Sequence, residues 1–399
     1  MGEVTRIGIL GAGTMGAGIA QVVVEAGLSA TVHDPIAGAY DRARERIHGF
    51  LARKVEKGQL SEGDASAALA RLSAAATLEE LAAADFVVEA IPEELELKRE
   101  AFRRLDDLAP PSTIVASNTS SLSIGEIAAS TSHPERVIGM HFFNPVPLMA
   151  LVEVIPGHGT ATAVTEATMA LAERLGKTAV QAADTPGFIV NRVARPYYLE
   201  ALRIVGDGAA GIEEVDEALR GAGFRMGPFE LIDTIGADVN LAVSESTFEA
   251  YEREARYQPH PLQRTLVEAG RLGRKSGAGF YDYQADGSRG APWSGAPDAV
   301  QGSRLAAEQI TERVLAALVN EAASAVEDGV ATADAIDTAM RLGANYPTGP
   351  LAWGERLGLA QVVGTLDRLH ASEPDGRYRA VPLLRSLAER GGSFFTAAQ

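Results

Sequence analysis

The chain has 399 residues, is 46% hydrophobic and 22% charged, carries a formal net charge of −17 and contains no cysteine. That length allows two or three domains with ample core, while the acidity argues against a broad nucleic-acid or anionic-membrane face. The missing thiols exclude disulfides, thiolate catalysis and cysteine-based metal sites.

Thr5-Arg6-Ile7-Gly8-Ile9-Leu10 reads as a buried parallel strand and runs straight into Gly11-Ala12-Gly13-Thr14-Met15-Gly16. Beyond that turn Ile19, Val22, Val23 and Ala26 keep helical spacing, and Gly27 ends the helix. A second strand, Ala30–His33, ends at Asp34. Strand, glycine turn, helix, strand and acid in this order form the dinucleotide fingerprint. Gly11 makes the tight turn, Gly13 lets a pyrophosphate approach the backbone, and Gly16 permits close packing. The helix start around Thr14 and Met15 is the anion site. Asp34 accepts hydrogen bonds from ribose hydroxyls and repels a 2′-phosphate, so NAD is expected rather than NADP. The opening Met1-Gly2-Glu3-Val4 has no secretory-signal character, no apolar run reaches membrane-spanning length, and a cytoplasmic protein is expected.

Residues 36 to 73 read as two helices, with Ser61 capping the second. The first carries Arg42, Arg44, Arg46, Arg53, Lys54 and Lys57, either a solvated face or a landing site for an anionic substrate handle. Asp85–Ile91 is a strand, and Pro92-Glu93-Glu94 opens a helix that also holds Lys98. Thr113–Ala116 delivers the hydroxyl loop Ser117-Asn118-Thr119-Ser120-Ser121, and Val137–Met140 delivers His141. Leu151–Ile155, which contains Glu153, and Thr178–Val180 complete a sheet of seven or eight strands. A histidine beside a carboxylate at the edge of such a sheet can serve as a base whose charged form the carboxylate stabilises.

At Asp184-Thr185-Pro186-Gly187 strand–helix alternation stops, and helices follow. Phe188–Val205 reads as one long apolar helix with Asn191 inside it and a kink at Pro196. Later helices are expected near 212–221, 228–235, 237–255 and 262–270. The glycine-rich Gly273–Tyr281 follows, and the Gly- and Pro-rich 284–302 reads as a linker. Arg192, Glu200, Asp207-Gly208, Asp216 and Arg220 recur as Arg313, Glu321, Asp328-Gly329, Asp337 and Arg341 at a constant offset of 121. Such register indicates a duplicated helical domain, with Glu312 standing where the first copy has Asn191. The expected architecture is therefore an α/β Rossmann-type N-terminal domain at 1–186 followed by two all-α helical domains in tandem. These lie at 187–283 and 303–399, with the linker at 284–302 between them. The histidines show no metal-ligand spacing.

Gly11–Gly18, Val88–Ile91, Ser117–Leu122, His141–Pro147, Leu151–Val154, Asp184–Arg192, Gly227–Leu231 and Lys275–Tyr281 together resemble the L-3-hydroxyacyl-CoA dehydrogenase family, in particular its 3-hydroxybutyryl-CoA type. The resemblance covers roughly residues 5 to 283. It implies that His141 is the catalytic base paired with Glu153, and that Ser120 and Asn191 hold the substrate. It places Glu93, Lys98, Asn144 and Lys275 among the NAD contacts, with Ser120 beside them, and Arg53, Lys54 and Lys57 near coenzyme A. The implied reaction takes an acyl-CoA 3-hydroxyl to the ketone, with no nucleic-acid or membrane partner. Siblings acting on free hydroxy acids, of the L-gulonate 3-dehydrogenase type, and crystallin-like proteins that keep NAD without turnover are the alternatives. The second helical copy departs from single-copy members. It is expected to pack on the first as an intrachain pseudo-dimer, leaving any homodimer to another surface.

Overall fold

In the computed structural model, residues 4–297 and 304–395 are described. Contacts divide the chain into two units, Met1–Phe188 and Ile189–Gln399.

The first unit is built on parallel strands with apolar residues on both faces, as a covered sheet requires. Its strands are β1 (Arg6–Leu10), β2 (Ser29–His33), β3 (Leu72–Ala74), β4 (Phe86–Glu89), β5 (Ile114–Ser117), β6 (Val137–Phe142), β7 (Leu151–Pro156) and β8 (Thr178–Gln181). Among the described residues they form one eight-stranded sheet in the order β3-β2-β1-β4-β5-β6-β7-β8. The order reverses between β1 and β4, where an open α/β sheet leaves a crevice at its strand ends. Helices α1 (Thr14–Glu25), α2 (Ala39–Glu56), α3 (Glu62–Ala70), α4 (Leu78–Ala82), α5 (Leu95–Leu108), α6 (Ile124–Ala128) and α7 (Thr162–Arg174) cover it. Residues of α1, α2 and α7 share a buried core with Ile7, Ile9 and Val154. On the other face Gly8 lies against Leu81 of α4 and Gly139 against Ile124 of α6.

One strand departs from the sequence-based expectation. The three-residue β3 follows α3 directly and pairs with β2; with only Leu72 buried it carries too little apolar pattern to be read. β7 runs antiparallel to β6, because the short 143–150 connection cannot hold the crossover a parallel pairing needs.

The second unit holds α8 (Val190–Val193), α9 (Arg195–Gly206), α10 (Ile212–Gly221), α11 (Pro228–Ile235), α12 (Ala237–Ala250) and α13 (Pro261–Glu268). The hairpin strands β9 (Tyr281–Tyr283) and β10 (Arg289–Pro292) come next. Then follow α14 (Ala307–Glu327), α15 (Ala333–Gly343), α16 (Pro350–Leu357), α17 (Leu359–Ser372) and α18 (Pro382–Arg390). The single helix expected over Phe188–Val205 is two. Pro196 cannot donate to the Arg192 carbonyl and its ring crowds that turn, so the helix breaks at Ala194. At the corresponding place in the second copy stands Ala317, and α14 runs unbroken. The supposed linker is partly structured, since β10 pairs with β9; residues 298–302 of it lie outside the described residues.

The repeated residues do repeated work. Asp216 accepts the amides of Phe229 and Glu230 at the start of α11, and Asp337 accepts those of Leu351 and Ala352 at the start of α16. Helix α14 packs on α8, α9 and α10, and α15 packs on α8. Across this packing Arg192 meets Glu321 at 2.8 Å and Arg313 meets Glu200 at 2.9 Å, each arginine answered by the other copy's glutamate. Such reciprocity is the signature of a twofold interface.

Candidate active site

The crevice begins where β1 ends. Gly11 has φ +105°, and a Cβ there would lie 2.6 Å from the Ala90 carbonyl oxygen. A Cβ on Gly16 would lie 1.9 Å from the Gly11 oxygen. Gly13 opens α1 at its N-cap, and a Cβ there would meet nothing within 4 Å. The first and third glycines are thus required by the turn itself, while the second leaves room for a phosphate at the helix start. Asp34 braces the same loop: its carboxylate accepts from the Ala12 amide at 2.8 Å and from the Ile36 amide at 2.9 Å. These features fit a dinucleotide.

A chain of charges lies beside the loop. Glu89, at the end of β4, is fully buried and accepts from the Ile91 amide at 2.8 Å, the Ser117 hydroxyl at 2.6 Å and the Lys98 ammonium at 2.6 Å. Lys98 also lies 3.3 Å from Glu93. One oxygen of Glu93 then accepts from the Thr119 hydroxyl and from the amide and hydroxyl of both Ser120 and Ser121. Burial pushes the Glu89 carboxyl up, against the pull of Lys98. Burial also opposes ionisation of Glu93, but Lys98 and the loop's donors outweigh it and hold that carboxyl below its ordinary value. Lys98, expected among the cofactor contacts, is 1% exposed and turned towards Glu89 and Glu93. Ser120 does not cap the helix that follows; Ser123 caps α6.

His141 and Glu153 stand directly opposite each other on the antiparallel β6 and β7. His141 Nδ1 lies 2.7 Å from Glu153 Oε2, with the histidine 6% exposed and the glutamate fully buried. Phe143 and Phe188 flank the imidazole, with ring centroids 4.5 and 5.9 Å away. A carboxylate can only accept, so Nδ1 carries the proton and Nε2 keeps its lone pair. Asn118, from the hydroxyl loop, accepts from the Phe142 amide and ties that loop to the end of β6.

The remaining expected residues have other surroundings. Asn144 is exposed in the loop after β6. On α2, Lys54 is engaged by Glu25 at 2.6 Å, while Arg53 lies over the Phe50 ring and Lys57 is exposed. Lys275 and Asn191 belong to the second unit, where Lys275 pairs with Asp238 at 2.6 Å. Ser117, Asn118, Thr119 and Asp184 received no role from the sequence. Asp184 accepts from the Ser123 hydroxyl and the amides of Ile124 and Gly125. A readable signal existed only for Glu89, a carboxylate inside the apolar run Phe86–Ile91.

Among the described residues no helix is long and apolar enough to cross a membrane. The family model for the 3-hydroxyacyl-CoA dehydrogenase NAD-binding domain matches residues 6–185. The model for the C-terminal domain of the same family matches residues 187–283 and 310–393. The chain is 39% identical to 3-hydroxyadipyl-CoA dehydrogenase of Escherichia coli strain K12, covering 97% of this chain and 98% of the relative. It is 47% identical to a probable 3-hydroxybutyryl-CoA dehydrogenase of Bacillus subtilis strain 168, covering 71% of this chain and 98% of that protein. A crystal structure described as 3-hydroxybutyryl-CoA dehydrogenase from Escherichia coli K12 matches with a TM-score of 0.89 at 38% identity, over 97% of this chain and 99% of that one. Family matches reaching from the first strand to the last helices leave one assignment: the chain belongs to the 3-hydroxyacyl-CoA dehydrogenase family of NAD-dependent oxidoreductases.

Proposed function

We propose that the chain oxidises the 3-hydroxyl of an L-3-hydroxyacyl-CoA to the ketone, with His141 as base. When bound, NAD supplies the acceptor for the hydride that leaves C3. His141 Nε2 takes the hydroxyl proton in the same event, and Glu153 stabilises the imidazolium. The observation that carries this reading is the 2.7 Å pairing of His141 with a buried carboxylate, which leaves Nε2 as the basic nitrogen. Ser120 steadies the substrate oxygen and Asn191 holds the substrate. Gly11, Gly13, Thr14, Met15 and Gly16 form the pyrophosphate turn, and Asp34 takes the ribose. Glu93, Lys98, Ser120, Asn144 and Lys275 serve the cofactor side, and Arg53, Lys54 and Lys57 meet coenzyme A. The second helical copy takes the place of a dimer partner, so each chain has one site.

The test is oxidation of NADH by acetoacetyl-CoA, followed by the loss of NADH absorbance. Turnover is expected; L-gulonate oxidation without acetoacetyl-CoA turnover would favour the free-acid sibling, and NADH binding without turnover the crystallin-like reading. A second reading concerns the acyl tail. The relative that spans both helical copies is named for 3-hydroxyadipyl-CoA, and a 3-oxoadipyl-CoA arm of the assay decides whether a terminal carboxylate is preferred.

A further inference from the structure

We infer that Glu321, in the second helical copy, is a positioning residue for Asn191 and acts through Arg192. This rests on the reading of Asn191 as a substrate-holding group.

Asn191 sits on α8, which has four residues and is cut off from α9 at Ala194. One turn of helix does not hold its own geometry; its neighbours must. Arg192, next in the chain, is 1% exposed. Its Nε donates to Glu321 at 2.8 Å, and its Nη2 donates to Ser324 and Asp328. All three acceptors lie on α14 or at its C-terminal cap, in the other copy. Glu321 is itself fixed from the first copy, accepting from the Tyr257 hydroxyl at 2.6 Å with Arg256 3.5 Å away. Arg195 Nε also donates to the Asn191 carbonyl at 2.9 Å, but Arg192 is the residue through which the second copy holds the turn. A buried guanidinium loses its compensation when its carboxylate is removed, so Glu321 helps to set where the α8 turn rests.

The pseudo-twofold supplies the control. Glu200 accepts from Arg313 at 2.9 Å and from the Tyr378 hydroxyl at 2.7 Å, the mirror of the Glu321 arrangement. The neighbour of Arg313 is Glu312, which accepts from Thr365 and Arg368 and lines a separate cleft of about 760 Å³. Helix α14 is continuous there and braced by its own hydrogen bonds. The two latches share their chemistry and burial, and differ in that one holds the Asn191 turn.

The experiment uses full-length Glu321→Gln, Glu200→Gln and Asn191→Ala, measuring melting temperature, NADH affinity, and kcat and KM with acetoacetyl-CoA. Both glutamate variants should melt earlier by similar amounts. Glu321→Gln should lose about tenfold or more in kcat/KM with NADH affinity held within about twofold, whereas Glu200→Gln should keep its kcat/KM within about twofold. Wild-type efficiency in Asn191→Ala would remove the reading of Asn191, and the proposal with it. A damaged Asn191→Ala beside an active Glu321→Gln, or an equal loss in Glu200→Gln, would overturn the positioning role alone. If Glu321→Gln does not fold, Asp328→Asn decides, since that carboxylate is half exposed. A loss of about threefold or more supports the proposal and unchanged kinetics reject it.

Discussion

Glu93 gathers five donors from the Thr119–Ser121 segment onto one oxygen, while His141 takes its orientation from the single carboxylate of Glu153. The two carboxylates have different tasks, one setting a loop and the other a tautomer. Glu153→Gln keeps the shape but can turn its amide NH₂ towards Nδ1, which no longer enforces a protonated Nδ1. The rate should fall about 10²-fold or more with NADH binding retained; steady-state kinetics beside a cofactor titration checks this. Asp34 braces the Ala12 amide and, in the proposed reading, also faces the ribose. NAD should therefore be preferred over NADP by at least about tenfold, near 1.4 kcal/mol. Asp34→Ala should narrow that ratio while weakening both cofactors, and equal efficiency of the native protein with both would refute the assignment. His141, Glu153 and the glycine turn were legible because each belongs to a strand-borne motif with a mechanism. The inward turn of Lys98 was not: Glu89 stands out within its apolar run, but no local pattern shows that Lys98 folds back to meet it.

Asp85 joins elements rather than serving chemistry. Its carboxylate ties the start of β1 to the start of β4, accepting from the amides of Thr5 and Arg6 and from the Arg6 guanidinium at 2.7 Å. Burial works against ionisation here, but Arg6 and these amides prevail and hold the pKa at about 2. A carboxylate depressed by folding lends stability above its unfolded value near 3.9, and that stability is lost as pH falls through the folded one. Arg6 is largely exposed, so screening leaves about 1 kcal/mol. Asp85→Asn should melt below the native protein at pH 7, with the gap narrowing progressively as pH falls from about 5 towards 1. A gap in thermal melts that does not narrow between about pH 5 and 2 would contradict this. The long strands and caps were readable from period and turn residues. The α8–α9 break was readable only as a kink, since Pro196 shows where a helix is strained but not whether neighbours let it part. That the break is real in one copy and absent in the other follows from Pro196 against Ala317.

Over the whole molecule, the helical repeat covers its own apolar surface. Tyr197, Leu199, Leu202 and Val205 of α9 are buried, as are Val314, Leu318 and Ala322 of α14, which packs on it. Removing residues 300–399 should yield a chain that aggregates or dimerises through the uncovered face; a well-folded monomer by solution mass would count against the proposed internal partner. Calorimetry of the intact chain should give one NAD and one acyl-CoA per chain, because Glu312 replaces the amide in the second copy. The repeat was legible from the offset of 121, whereas the exchanged pairing of Arg192 with Glu321 and Arg313 with Glu200 needed the coordinates. The most direct measurement of the account follows NADH oxidation by acetoacetyl-CoA in the native chain and in His141→Gln. The native chain should turn over, and His141→Gln should lose turnover by about 10³-fold or more while still binding NADH with native affinity. Undiminished turnover in His141→Gln, or none in the native chain, would contradict it.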